Sequence, residues 1–155
     1  INELDSYNQF ISIKLTDIST FEEKIWTKSD SSKIIGFNHT VCGSVCDSHV
    51  AFFNSSFQRV DTEETTVFPK LGIIDFLNTD KIIKDGKMIK EIVNQYDALF
   101  TTISFQKTSN NIILESTTEK YLSPEIYAEI KPYLLGNKIE LIWADGTFKK
   151  GDVTW

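Results

Sequence analysis

Four residues able to do redox or metal chemistry lie in one short stretch: His39, Cys42, Cys46 and His49. Cys42 and Cys46 are the chain's two cysteines, and the two histidines flank them by three residues on either side. Four chemistries are open to this cluster. The first is a structural disulfide, because a turn of this length can bring two Cα atoms within the ~4.4–6.8 Å that a bridge needs. Such a bridge closes a short loop and contributes on the order of 2 kcal/mol at most. The second is a pair of reduced, inert thiols. The third is a catalytic thiol pair. Redox enzymes, however, place Cys-x-x-Cys at the start of a helix, where the dipole lowers one thiol's pKa. Here the spacing is Cys-x-x-x-Cys, with a strand following. The fourth is a metal site formed by His39, Cys42, Cys46 and His49.

The segments that carry these residues read as strands. Ile35, Phe37, His39 and Val41 alternate with Ile34, Gly36, Asn38 and Thr40, a period of two in β-branched and aromatic residues. Residues 49–53 form a second such run, and Gly43, Ser44, Asp47 and Ser48 supply turn chemistry between the two. Upstream, Tyr7–Thr16 and Phe21–Lys28 predict two more strands, separated by Asp17-Ile18-Ser19 and followed by the polar turn Ser29–Ser32. Four strands with short connections make an antiparallel meander.

Further along, Asp61, Glu63 and Glu64 belong to a solvated connection. Leu71–Leu77 is a short apolar run, a helical turn or buried segment, in which Asp75 reads as a cap or turn carboxylate. Met88, Ile92 and Tyr96 recur every fourth residue, so Lys87–Tyr96 predicts an amphipathic helix with Asp85 at its N-cap. Leu99–Lys107 and Asn111–Thr117 predict a hairpin. Ser123-Pro124-Glu125 has the hydroxyl, proline and acid of a helix start. Pro132 predicts a kink late in that helix, and Gly136 its C-terminal cap. Lys138–Trp143 reads as a strand, Asp145-Gly146 as a hairpin turn and Thr147–Lys149 as the return strand. The closing KGDVTW is expected to be loose. The fold class is α+β: antiparallel sheet in meander and hairpins, with two or three packed helices. One domain over 1–155 is expected, in an order that admits two lobes, 1–60 and 85–150.

Composition excludes several functions. The formal net charge is −6, which disfavours nucleic-acid binding and attraction to anionic lipid. No apolar run approaches the roughly 20 residues of a membrane-spanning helix. The chain begins at Ile1-Asn2-Glu3 without a starting Met, as a processed or truncated product would. There is no Gly-x-Ser-x-Gly, phosphate loop, dinucleotide fingerprint or His-Glu-x-x-His. No cofactor and no catalytic residue is assigned. Two Asn-x-Ser/Thr triplets, at Asn38 and Asn54, are read as chance occurrences.

One succession of motifs has a familial character. Cys42-x-x-x-Cys46-Asp47-Ser48 precedes an aromatic strand with Phe52 and Phe53. Asp75-Phe76, Tyr121-Leu122, Lys131-Pro132-Tyr133-Leu134 and Trp143-Ala144-Asp145-Gly146-Thr147-Phe148 follow. From about Leu4 to Phe148 the chain resembles an uncharacterised family of exported proteins of Bacteroidetes-type gut and mouth bacteria, domain of unknown function 3256. The resemblance implies a periplasmic or cell-envelope location, an export signal and first segment absent from this chain, and a bridge between Cys42 and Cys46. It implies no activity. The family often places a proline between the cysteines, where this chain has Gly43-Ser44-Val45. The functional expectation is a non-catalytic periplasmic or outer-membrane-associated binding module, whose partner is an envelope protein or cell-surface component. The alternative is a thiol-based redox or metal-binding protein acting through the Cys42/Cys46 turn, with Lys33 and Arg59 as the cations nearest in sequence.

Overall fold

The computed structural model describes residues 2–60, 66–96 and 98–155. The acidic connection at Asp61, Glu63 and Glu64 lies outside the described residues. Among the described residues the fold is α+β, with two antiparallel sheets and three short α-helices. The first sheet is a meander in chain order: β1 (Glu3–Asp5), β2 (Phe10–Thr16), β3 (Ser19–Thr27), β4 (Lys33–Cys42) and β5 (Cys46–Asn54). The second runs β6 (Thr101–Phe105), β7 (Ile112–Ser116), β8 (Lys138–Ala144) and β9 (Thr147–Thr154), again in chain order. Between and beside them lie α1 (Thr79–Lys84), α2 (Ile89–Asn94) and α3 (Pro124–Ile130).

The first sheet has one strand more than the alternation pattern suggests. The Asp5 carboxylate accepts the backbone N–H and the side-chain amide of Asn8, each at 2.9 Å. This turn folds Glu3–Asp5 back along β2, so β2 starts at Phe10 instead of Tyr7. Across residues 78–96 the expectation is corrected. Asn78, not Asp85, caps a helix here: its side chain accepts Lys81 N–H at 3.0 Å and opens α1, a helix the periodicity did not reveal. Asp85 closes α1 at its C-terminus, and α2 starts after Met88 without a side-chain cap. An aspartate between two short helices satisfies the same local pattern at either end. Ile73–Phe76 is a single 3₁₀ turn, and Asp75 accepts Gly72 N–H at 2.8 Å as a turn carboxylate.

Ser123 caps α3 by accepting Ile126 N–H at 3.3 Å. Pro132 changes the helix type instead of kinking it: after Ile130 the chain continues as 3₁₀ over Lys131–Tyr133. Gly136 is not the cap. A Cβ there would lie 2.1 Å from the Thr154 carbonyl oxygen, so glycine is required by the close approach of β9. The KGDVTW end is also corrected, since β9 extends to Thr154 and pairs with β8 from Ala144↔Thr147 to Lys138↔Thr154. Asp145 and Gly146 have φ of 49° and 114°, the positive values that a two-residue hairpin turn demands.

One core draws on both sheets. Trp26 is fully buried, and the rings of Phe52, Phe105, Trp143 and Phe148 lie 5.1–6.0 Å from it. Its indole N–H donates to the Asn110 carbonyl at 2.8 Å. Gly36 sits beneath the indole, where a Cβ would come within 2.6 Å of the Trp26 ring. A smaller core gathers Leu77, Ile82, Ile92, Ile130 and Tyr133 among the helices.

The sheets are also joined by polar bonds. β6 is an edge strand of the second sheet and packs against β3, β4 and β5 of the first. Its outward N–H groups on Thr101, Ile103 and Phe105 donate to Asp47, Ser48 and Glu22, at 3.0, 2.9 and 3.0 Å. Buried Asn38 donates to the Ile103 carbonyl at 2.6 Å and to Glu22 at 3.0 Å. Lys24, 2 % exposed, donates to the carbonyls of Gln106, Lys107 and Ser109. Desolvation by burial lowers its pKa. Side chains of the meander thus satisfy an edge that would otherwise present unpaired donors in the interior.

Two predictions follow from this packing. Gly36→Ala forces the Trp26 ring aside and costs about 1–3 kcal/mol, measured as the shift in a urea-unfolding midpoint. Burial raises the Glu22 pKa above its ordinary 4.5, against the lowering effect of its bonds from Asn38 and Phe105. The folded state therefore holds that proton more tightly than the unfolded chain. Glu22's contribution to stability is present below pH 4.5 and is lost as pH rises through the folded value. Glu22→Gln keeps an acceptor for Phe105 and flattens that loss, whereas Glu22→Ala strands the N–H and costs about 1–3 kcal/mol at every pH. Unfolding curves at several pH values separate the two.

Candidate functional site

Cys42 ends β4, Cys46 starts β5, and the two are directly opposite in the register. They are bonded, with an S–S distance of 2.04 Å and Cα atoms 3.9 Å apart. Gly43–Val45 close the turn, with Gly43 N–H donating to the Val45 carbonyl at 2.8 Å. The bridge is tied to both sheets. Cys42 N–H donates to Ile18 at 2.8 Å, and the Cys46 carbonyl accepts the Thr117 hydroxyl at 2.6 Å. Strand, not helix, follows Cys46. Lys33 starts the ten-residue β4 that Cys42 ends, which separates them by about 30 Å. Arg59 bridges to Phe53, which pairs with Ile35 at that same far end. The cations nearest in sequence are thus remote from the sulfurs.

His39 and His49 are brought together as a directly opposed pair on β4 and β5, both exposed. Cys42 is an odd number of residues from His39, so the two side chains leave opposite faces of the strand. Among the described residues no group of three or more His, Cys, Asp and Glu side chains could hold a metal ion. Asn38, in one of the two Asn-x-Ser/Thr triplets, is 1 % exposed and faces the interior.

The feature that sequence reading missed is a groove of about 710 Å³ at the opposite end of the meander from the bridge. Three loops converge on it: the β3–β4 turn, the segment after β5 and the β8–β9 turn. Each holds one non-glycine residue with a left-handed backbone: Ser31 at φ 66°, Phe57 at 56° and Asp145 at 49°. Strain of this kind persists where surrounding structure enforces it. Here the enforcing bonds are visible. Ser29 donates its N–H and its hydroxyl to Asp145, each at 2.6 Å, tying two of the loops together. Asn54 accepts the N–H groups of Ser56 and Gln58 at 2.9 and 3.0 Å, shaping the third.

The groove gathers Lys28, Lys33 and Arg59, with Ser32, Ser56 and Thr147 among its hydroxyls. Arg59 is the chain's single arginine. Lys28 pairs with Asp30 at 3.3 Å, while neither Lys33 nor Arg59 has an ion pair among the described residues. The acids nearby are held ionised. Bonds from the Ser32 side chain and backbone bring Asp30 down to about 2, and bonds from Ser29 lower Asp145. The three cations lie within 31 positions of one another, and no signal in the linear sequence joins them to Asp145 and Thr147, which come 86 or more positions after Arg59.

The family model described as "Protein of unknown function (DUF3256)" matches residues 1–148. The chain belongs to this family. The DUF3256 chain is also similar to a solved domain of an uncharacterized protein from Porphyromonas gingivalis W83, at 21 % identity and a TM-score of 0.75. The likeness covers 92 % of this chain and 71 % of that one, and shows a shared fold. No curated protein matches the chain. No helix among the described residues is long and apolar enough to cross a membrane. The Cys42–Cys46 bridge suggests a location outside the cytoplasm, since reducing compartments keep thiols unpaired. Replacing both cysteines by serine is expected to cost up to about 2 kcal/mol while the far-UV circular dichroism spectrum stays unchanged. A larger loss would mean the bridge also holds the contact between the sheets.

Proposed function

We propose that the protein is an exported, non-catalytic binding module of the periplasm or outer-membrane surface that takes an anionic envelope component in its groove. The observation that carries this reading is the groove's charge. Lys28, Lys33 and Arg59 gather in one concavity on a chain of net charge −6. Among the described residues the carboxylate that lines it, Asp145, is already engaged by Ser29. Acids held ionised by hydrogen bonds are poor proton donors, so the lining suits recognition better than acid catalysis. The bridged cysteines and the family support the exported location.

The probe is a carboxylated polysaccharide, polygalacturonate, titrated calorimetrically at low and high salt. Binding is expected to weaken as salt rises. Lys33→Ala combined with Arg59→Ala is expected to lower affinity about tenfold with no change in the unfolding midpoint. Undiminished affinity in the double variant, or no binding by the native protein, would overturn the reading.

A further inference from the structure

The meander has two apolar faces, and the core covers one. Trp26, Ile34, Phe52 and Phe10 point inward. The alternate residues Ile13, Phe21, Ile25, Phe37, Ala51 and Phe53 point the other way, and none belongs to either packed core. On the same face Leu4, Leu15 and Val41 are 67 %, 53 % and 43 % exposed. The rings of Phe21, Phe37 and Phe53 form a ladder across three strands, at 5.8 and 5.5 Å. An antiparallel sheet with one solvated face ordinarily alternates apolar and polar residues. This one is apolar on both faces, the pattern of a sheet covered on both sides.

We infer that this outer face pairs with the same face of a second copy, making a two-fold dimer with stacked sheets. Two observations favour a second copy. The first is area. Strands β2–β5 have 7, 9, 10 and 9 residues. At about 4.8 Å between strands and 3.3 Å per residue they present roughly 550 Å² per copy. The sheets overlap where their widths cross, about 19 Å on a side when the strands of the two copies lie near a right angle, so two copies bury roughly 740 Å², the size of a weak, reversible association.

The second is self-complementarity. The polar side chains at the centre of the apolar field are Glu23, His39 and His49, with Ser19, Thr27, Lys33 and Asp47 at its two ends. Phe21 pairs with His39, and Glu23 pairs with Phe37, so these four form a square on β3 and β4. The stacked phenylalanines lie on one diagonal, and Glu23 and His39 lie on the other. A two-fold axis along the phenylalanine diagonal sets Glu23 of each copy against His39 of the other. The carboxylate then meets an imidazole N–H donor twice, and the rings meet rings, as an isologous interface requires.

Sedimentation velocity across the micromolar range tests this. The native chain is expected to shift towards a species of twice 17.7 kDa as its concentration rises. Phe37→Glu is expected to weaken the dimer by about 30-fold or more, since it removes a central aromatic anchor. If that variant fails to fold, Ala51→Arg decides, because it adds a charge to the face while leaving every ring contact in place. Circular dichroism checks folding in both. A monomer at every concentration overturns the inference, as does a dimer that the folded variants leave intact. A monomer that instead floats with phosphatidylcholine vesicles overturns it too and assigns the face to lipid.

Discussion

The structure depends on how the free edge of β6 is satisfied. A strand at a sheet edge has N–H and C=O groups aimed away from its sheet, and in this chain they aim into the interior between the sheets. Asp47, Ser48 and Glu22 accept from three alternate N–H groups, and Asn38 donates to the carbonyl between them. These bonds do the work of a missing neighbouring strand. They explain why a glutamate, an asparagine and a lysine are tolerated on the inner face of the sheet, beside the aromatic core. Each is there for a named backbone partner. The cost of the arrangement is visible in Glu22, whose burial disfavours its charged form.

The aromatic core is organised around the same junction. Trp26 closes against Phe105 of β6 and sends its N–H to Asn110 in the β6–β7 connection. Lys24, two residues earlier on the same face, binds three carbonyls around that connection. One strand, β3, therefore supplies Glu22, Lys24 and Trp26 in succession, each locking a different part of the hairpin. Gly36 on the neighbouring strand leaves the space that lets the indole lie flat against the sheet. Packing and polar satisfaction act on the same residues, which makes the contact between the sheets geometrically specific.

That specificity has a functional consequence. Holding the sheets in one arrangement brings the β8–β9 turn against the β3–β4 turn, where Asp145 and Ser29 bond. The groove exists because of that juxtaposition. The opposite end of the meander, closed by the Cys42–Cys46 bridge, is tied down by Thr117 and by the Ile18 carbonyl. The chain thus has a cross-linked end and a charged, concave end. The chemistry that first draws attention in the sequence is at the structural end.

Much of the local structure is legible from the residues alone. The alternation in β2–β5, the positive-φ turn at Asp145-Gly146, the cap at Ser123 and the hairpin of β6 and β7 all follow from interactions within a few positions. The fold class and the family resemblance rest on the same information. Where local signals are ambiguous, sequence reading faltered. Asp85 suits the end of one helix as well as the start of another, and Gly136 looks like a cap although its role is to admit the Thr154 carbonyl. What the sequence by itself determined was the set of strands and turns and the bracketing of the cysteines by strands. Only the tertiary structure decided which face of the meander is covered, what satisfies β6 and which loops form the groove. The physical reason is range. The bonds from the meander that decide these points join residues 54 to 116 positions apart, where no periodicity or turn preference acts.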